Sequence, residues 1–125
     1  MDILLVDDNA LMQQLMERFL NDLGYSVAVA GRADEAIEIA RRDAPALFLL
    51  DIRLPDLDGP EALVALRALP GCATTPAIAM SGMDESVVHP KLIGDFVAYL
   101  PKPIDFDRLE ALAAQHLGDK TRSVG

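Results

Sequence analysis

Five short apolar segments are spaced along the chain, and longer amphipathic segments separate them. Short apolar runs bounded by polar or turn-forming residues are typical of β-strands. We therefore predict five strands, at Ile3–Val6, Tyr25–Ala30, Ala46–Leu50, Ala77–Met80 and Phe96–Leu100.

Between these strands, apolar residues recur every three or four positions, the spacing that places them on one face of a helix. Glycine and proline punctuate these segments, since glycine ends helices and proline suits a first helical turn. We predict helices ending at Gly24, before Pro45, before Pro70 and at Gly118, the third beginning at Gly59-Pro60 and the last at about Ile104. The predicted inward face of the first helix comprises Met12, Leu15, Met16, Phe19, Leu20 and Leu23.

The segment from residue 84 to residue 95 fits a regular helix poorly. It contains Pro90 and Gly94, and a proline inside a helix removes a backbone hydrogen bond at a cost of about 3 kcal/mol. We predict a short, displaced or mobile helix there.

The alternation of strands and helices predicts an α/β fold with right-handed crossovers and a parallel sheet covered on both faces. The first, third and fourth strands are continuously apolar, as central strands are, whereas Tyr25–Ala28 alternates like an edge strand. This pattern favours a doubly wound five-stranded sheet in the order 2-1-3-4-5. Ligands of such sheets bind beyond the carboxyl ends of the strands, here between the first and third.

Composition narrows the classes of function. The 125 residues include 11 Lys and Arg against 20 Asp and Glu, a formal net charge of −9, which argues against direct nucleic acid binding. With 51% hydrophobic residues, the chain suits one core. The sequence shows no secretory leader or long apolar span, and Cys72 has no second cysteine to pair with. We therefore expect a cytoplasmic protein without membrane insertion.

Polar residues stand at the end of each predicted central strand. Asp7 and Asp8 follow the first strand, Asp51 the third and Ser81 the fourth, and Lys102 follows the fifth. Because neighbouring strands are about 5 Å apart, the three carboxylates are expected to cluster. Clustered carboxylates with few other ligands suit Mg²⁺, and an ammonium and a hydroxyl suit phosphoryl oxygens. The set predicts a phosphoryl-acceptor site.

The chain resembles a receiver domain of the bacterial two-component response regulators. The resemblance is carried by Val6-Asp7-Asp8, Leu50-Asp51, Leu54-Pro55 with Asp58-Gly59, Met80-Ser81-Gly82, and the run from Tyr99 to Pro103. It covers residues 1 to 118, which we interpret as one receiver domain, and leaves 119 to 125 as a polar C-terminal tail. It implies the flavodoxin-like (βα)5 fold.

The resemblance implies a role for each matching residue. Asp51 is expected to accept a phosphoryl group from a phosphohistidine donor. Asp8, Asp51 and the backbone carbonyl of Arg53 are expected to bind Mg²⁺, with Asp7 acting through a metal-bound water. Lys102 is expected to hold a phosphoryl oxygen.

The resemblance also implies a conformational switch. Ser81 is expected to turn toward the phosphoryl group, and Tyr99 to move from exposed to buried. These changes would alter the surface formed by the helix over residues 84 to 95, the fifth strand and the last helix. The Lys102-Pro103 bond is expected to be cis. The implied partners are a histidine kinase or histidine phosphotransfer protein and a downstream protein target, with the chain itself a monomer or weak dimer.

Two other functions stay open at this point. One is a degenerate or phosphorylation-independent module that acts only through protein contacts, although no acid or lysine of the pattern is missing. The other is a phosphatase with Asp51 as nucleophile. Phosphatases that resemble haloacid dehalogenases need an acid two residues after the nucleophile, and here that residue is Arg53. We therefore expect a switch and not an enzyme.

Overall fold

The computed structural model describes residues 1–82 and 95–118. Within these residues, there are five strands and four helices. They are β1 (Ile3–Val6), α1 (Ala10–Asp22), β2 (Val27–Ala30), α2 (Ala33–Arg42), β3 (Leu47–Asp51), α3 (Gly59–Arg67), β4 (Ala77–Ser81), β5 (Ala98–Pro101) and α4 (Phe106–Leu117). The helix predicted over residues 84 to 95 lies, except for Asp95, outside the described residues, and so does the tail over residues 119 to 125.

The five strands form one parallel sheet in the order β2-β1-β3-β4-β5, as predicted. The register places Leu5 of β1 beside Val29 of β2 and Leu49 of β3. Every residue of β1, β3 and β4 is buried, whereas β2 is mostly half-buried. This difference confirms β2 as an edge strand, because an edge strand has a neighbour on one side only.

Two hydrophobic layers enclose the sheet, because successive side chains of a strand point to opposite faces. Leu4 and Val6 pack with α2 and α3 on one face, and Ile3 and Leu5 pack with α1 and α4 on the other. Helix α1 buries Met16 and Leu20 against the second face, but Leu15 is 48% exposed. The prediction of an inward Leu15 is therefore wrong.

Several element boundaries differ from the predictions. Strand β2 begins at Val27 and not at Tyr25, because the amide of Tyr25 donates to the carbonyl of Leu20 and closes the end of α1. Strand β5 begins at Ala98 and not at Phe96, and β3 begins at Leu47 and not at Ala46. Strands β3, β4 and β5 each end one residue later than predicted.

Helix α4 begins at Phe106 and not at Ile104. The side chain of Asp105 accepts hydrogen bonds from the amides of Asp107 and Arg108, and this N-cap sets the start of the helix. Among the described residues, no helix combines the length and the apolar composition that a membrane span requires.

Candidate functional site

Three side chains from three strand ends meet at the carboxyl edge of the sheet. Asp7 follows β1, Asp51 ends β3, and Lys102 follows β5. Nζ of Lys102 lies 2.8 Å from Oδ2 of Asp7 and 2.8 Å from Oδ2 of Asp51. The sheet order β1-β3-β4-β5 produces this meeting, since Lys102 reaches across β4 to both carboxylates.

The carboxylate of Asp7 is fully buried. Its Oδ1 accepts a hydrogen bond of 2.9 Å from the amide of Asn9, and the side-chain amide of Gln13 donates to its backbone carbonyl. Oδ2 is in ion-pair contact with Lys102, but among the described residues it has no hydrogen bond of regular geometry. Asp7 therefore keeps a buried oxygen whose bonding capacity is only partly used.

Asp51 is 6% exposed, and its two oxygens have different partners. Oδ1 accepts from the amide of Arg53 at 2.9 Å, and Oδ2 accepts from Lys102 at 2.8 Å. Burial raises the pKa of Asp51 above its ordinary value of 3.8, against the opposing effects of Lys102 and the Arg53 amide. The fold thus holds a carboxylate in an environment that disfavours its charge.

The pKa of Lys102 is also shifted from its ordinary value. Burial lowers its pKa, but Asp51 and Asp7 outweigh burial, so the pKa of Lys102 lies above its ordinary value of 10.5. Its backbone amide donates to the carbonyl of Ser81 at 2.8 Å, and the bond between Lys102 and Pro103 is cis, as expected. The ammonium is therefore charged at neutral pH and held between the two acids.

A third carboxylate completes the cluster. Asp7, Asp8 and Asp51 each offer one oxygen, and these three oxygens lie within 4.8 Å of one another. Asp8 is exposed, whereas the other two are buried. Three carboxylates and one ammonium have a formal charge of −2. Oxygen ligands of this charge, together with the underused Oδ2 of Asp7, fit a hard divalent cation such as Mg²⁺.

The loop after β3 approaches Asp51 closely. Arg53 forms an isolated bridge with Asp58, whose side chain accepts from the amide of Glu61 and caps α3. A Cβ on Gly59 would lie 2.9 Å from Cα of Ile52 and 3.1 Å from the carbonyl oxygen of Asp51. The absence of a side chain at Gly59 therefore lets α3 start against the acidic cluster.

Ser81 lies at the strand end near this cluster, whereas Tyr99 lies further back in its strand. Ser81 is the last residue of β4 and is 2% exposed, next to the strand end that carries Asp51. Tyr99 lies inside β5 opposite Ala79, is 5% exposed, and belongs to the hydrophobic layer of α2 and α3. The structure thus places Ser81 at the carboxyl edge and shows Tyr99 in a buried position.

Two contributors to this region were missed in the sequence. Gln13 donates to the carbonyl of Asp7, and the side chain of Asp56 binds the start of α2. Asp56 is separated from its amide partners by 22 and 23 residues, so no local spacing could reveal the contact. The role of Gly59 could be recognised from the sequence in part, because Asp-Gly before a proline is a typical helix start.

Comparison with known proteins identifies relatives over most of the chain. The profile of the response regulator receiver domain matches residues 3–114. The polar-differentiation response regulator DivK of Brucella anthropi is 32% identical over 123 residues, which cover 94% of this chain and 96% of that protein. The signal transduction histidine-protein kinase BarA of Escherichia coli is 32% identical over 117 residues, but these are 93% of this chain and 13% of the kinase.

A solved structure shows the same arrangement of strands. The receiver domain of the sensor histidine kinase PA1611 from Pseudomonas aeruginosa superposes with a TM-score of 0.82 at 30% identity, over 94% of this chain and 97% of that one. That crystal structure has a magnesium ion coordinated in its active site cleft.

Proposed function

Because the chain belongs to the response regulator receiver domain family, we propose that it is a signalling switch that accepts a phosphoryl group on Asp51 in a Mg²⁺-dependent reaction. The observation that carries this proposal is the convergence of Asp7, Asp51 and Lys102, with both Nζ to Oδ2 distances at 2.8 Å. We assign residues 1 to 118 to the receiver domain and 119 to 125 to a C-terminal tail.

The donor in this proposal is a phosphohistidine on a histidine kinase or histidine phosphotransfer protein. The kinase BarA, which contains a region similar to this chain, supports a donor of that class. A carboxylate oxygen of Asp51 forms the new bond to phosphorus as the bond from phosphorus to the histidine nitrogen breaks. The nitrogen keeps the electron pair of that bond, and the product is an aspartyl phosphate.

The three acids would contribute to metal binding in different ways. Asp8, which is exposed, and Asp51 would bind Mg²⁺ together with the backbone carbonyl of Arg53, while the buried Asp7 would act through a metal-bound water. Bound Mg²⁺ would offset the charge of −2 in the cluster and part of the charge on the transferred group. Asp7 keeps Lys102 in place through their 2.8 Å contact.

Lys102 supplies the fixed positive charge for the transfer. Its ammonium lies against Oδ2 of Asp51 and is therefore next to the carboxylate that would be phosphorylated. After transfer it would pair with a phosphoryl oxygen, which suits a compact ammonium with three donors. Positioning and charge compensation of this kind account for most of the catalysis of phosphoryl transfer.

The signal would leave the site through Ser81 and Tyr99. Ser81 ends the strand next to β3, where its hydroxyl could turn toward the new phosphoryl group. Tyr99, which is buried here, would report that change at the surface formed by residues 84 to 95, β5 and α4. A downstream protein that binds one arrangement better than the other would read the switch.

Intact-mass spectrometry after incubation with acetyl phosphate and MgCl₂ tests the proposal. The wild type is expected to gain one phosphoryl group, and Asp51→Asn or an excess of chelator is expected to abolish the gain. Asp43→Asn is the matched control, since Asp43 is an exposed acid that pairs with the N-terminal amine. It should be phosphorylated like the wild type.

The alternatives predict different results. A phosphorylation-independent interaction module would bind Mg²⁺ and gain no phosphoryl group. A phosphatase would release inorganic phosphate from small phosphoesters over many turnovers and would depend on Asp51. Either result would refute the proposed switch.

A further inference from the structure

The carboxylate of Asp56 binds the first two amides of α2 from a different part of the chain. Oδ1 accepts from the amide of Ala33 at 2.9 Å, and Oδ2 accepts from the amide of Asp34 at 2.9 Å. A guanidinium nitrogen of Arg32 lies 4.0 Å from Oδ2. Both carboxylate oxygens are thus engaged by one helix terminus.

This contact replaces the cap that α2 lacks in its own sequence. The N-cap residue of α2 is Arg32, and within residues 1–82 and 95–118 its side chain makes no capping hydrogen bond. Glu35 is used elsewhere, since it accepts from the amide of Gly31. The first amides of a helix have no partner within the helix and favour an anion. The amide of Ala33 accordingly lowers the pKa of Asp56, with burial opposing it.

Asp56 lies in the loop that carries the carbonyl of Arg53. The amide of Arg53 is held by Oδ1 of Asp51, and Arg53 pairs with Asp58 in an isolated bridge. Asp56 lies between the two bridge residues, so its side chain ties the closed end of the loop to α2. The amide of Arg53 thus ties the loop to Asp51 at the end of β3, and the side chain of Asp56 ties it to the first residues of α2.

We propose that Asp56 is a positioning residue that sets the affinity of the acidic cluster for Mg²⁺ by holding this loop against the N-terminus of α2. The inference rests on the proposed function, in which the Arg53 carbonyl binds the metal. Asp56 would contact neither the metal nor the phosphoryl group. It acts on the orientation of a carbonyl ligand, and residues that orient metal ligands affect affinity by about 10- to 100-fold.

The coupling is reciprocal. If the Asp56 contact strengthens Mg²⁺ binding, then Mg²⁺ strengthens the Asp56 contact by the same factor. The amides of Ala33 and Asp34 should therefore exchange with solvent more slowly, by up to about tenfold, when the wild type is saturated with MgCl₂. A purely structural helix cap would leave this exchange independent of the metal.

Calorimetric titration with MgCl₂ compares the wild type with Asp56→Ala, Asp56→Asn and a control. We expect the dissociation constant to rise about tenfold in Asp56→Ala and by less in Asp56→Asn, which keeps one acceptor oxygen. Asp2→Ala is the matched control, because Asp2 also accepts a hydrogen bond from a backbone amide, that of Ser26, at the opposite edge of the sheet. It removes the same charge and should bind Mg²⁺ like the wild type.

Each outcome decides between the two proposals. Equal Mg²⁺ affinity in Asp56→Ala and Asp2→Ala, or metal-independent exchange at Ala33 and Asp34 in the wild type, would overturn the role of Asp56 and leave the proposed function intact. A wild type that binds no Mg²⁺ would overturn both. If Asp56→Ala does not fold, as shown by circular dichroism in chelator, then Asp56→Asn and the wild-type exchange experiment decide.

Discussion

Replacing Lys102 with methionine should destabilise the metal-free protein strongly. Methionine keeps an unbranched chain of similar length but removes the charge that lies 2.8 Å from Oδ2 of both Asp7 and Asp51. The two buried carboxylates would then face each other without a cation. In the absence of Mg²⁺, we expect a large loss in the free energy of unfolding at neutral pH.

The distances give the size of the effect. At an effective dielectric constant of about 20, two unit charges at this separation attract by about 6 kcal/mol, which desolvation of the ammonium largely offsets. Removing one partner of a buried ion pair costs about 3 to 5 kcal/mol. Because the Lys102 side chain is 22% exposed, we expect a loss at the lower end, about 3 kcal/mol. For a domain of this length, that corresponds to a fall in Tm of about 10 °C.

The pH dependence follows from the pKa of Lys102, which is raised in the folded state above its ordinary value of 10.5. The stabilisation by Lys102 is therefore fully present below the ordinary pKa and is lost as the pH rises through the raised one. The difference between the wild type and Lys102→Met should be constant through the neutral range. It should shrink at strongly alkaline pH, and at acid pH as Asp51, whose pKa is raised, becomes protonated.

Urea unfolding in chelator, followed by circular dichroism, measures the effect. Arg41→Met is the control, since Arg41 forms a 2.8 Å ion pair with Glu38 on an exposed face of α2. An exposed pair contributes less than about 1 kcal/mol, so this variant should unfold close to the wild type. If Lys102→Met is no less stable than Arg41→Met, the ammonium does not compensate the two acids and the electrostatic account of the site is refuted.

Three further predictions follow from single contacts. Asp51→Asn should stabilise the metal-free protein at neutral pH, because the pKa of Asp51 is raised and its negative charge therefore lowers the stability of the folded state. This gain should disappear near pH 3.8, the ordinary pKa of the group. Urea unfolding at the two pH values measures the difference. Gly59→Ala should cost about 1 to 3 kcal/mol because its Cβ meets main-chain atoms, whereas Gly82→Ala, with nothing within 4 Å, should cost less in the same assay. Tyr25→Phe removes the 2.6 Å hydrogen bond to the carbonyl of Gly118 and should cost about 1 kcal/mol; an unchanged Tm would contradict it.

Ser81 and Tyr99 are the proposed switch residues. Ser81 was predicted as a site residue from its place at a strand end, whereas Tyr99 and the switch roles of both residues come from the resemblance, and these roles stay predictions. The structure shows one arrangement, with Tyr99 5% exposed, and the predicted change of Tyr99 from exposed to buried needs a second state for comparison. The helix predicted over residues 84 to 95, which would form part of the same surface, lies outside the described residues except for Asp95.

The sequence by itself determined the fold class and the strand order, and it placed the candidate site residues at the ends of predicted strands. These follow from local patterns, because apolar runs and helical spacing depend on near neighbours and parallel crossovers allow few topologies. The element boundaries depend on further contacts, since the start of α4 is set by the cap at Asp105 and the start of β2 by a hydrogen bond from Tyr25 to the end of α1.

Only the tertiary structure decided how the site is assembled. It places the ammonium of Lys102 against Asp7 and Asp51 at equal distances and leaves Asp8 exposed. It also ties Asp56 to two amides at the start of α2, which lie 22 and 23 residues earlier in the chain. Contacts of this kind join residues far apart in the chain. Their strength depends on burial and on distances of a few ångströms, and neither quantity can be inferred from a short segment of the sequence.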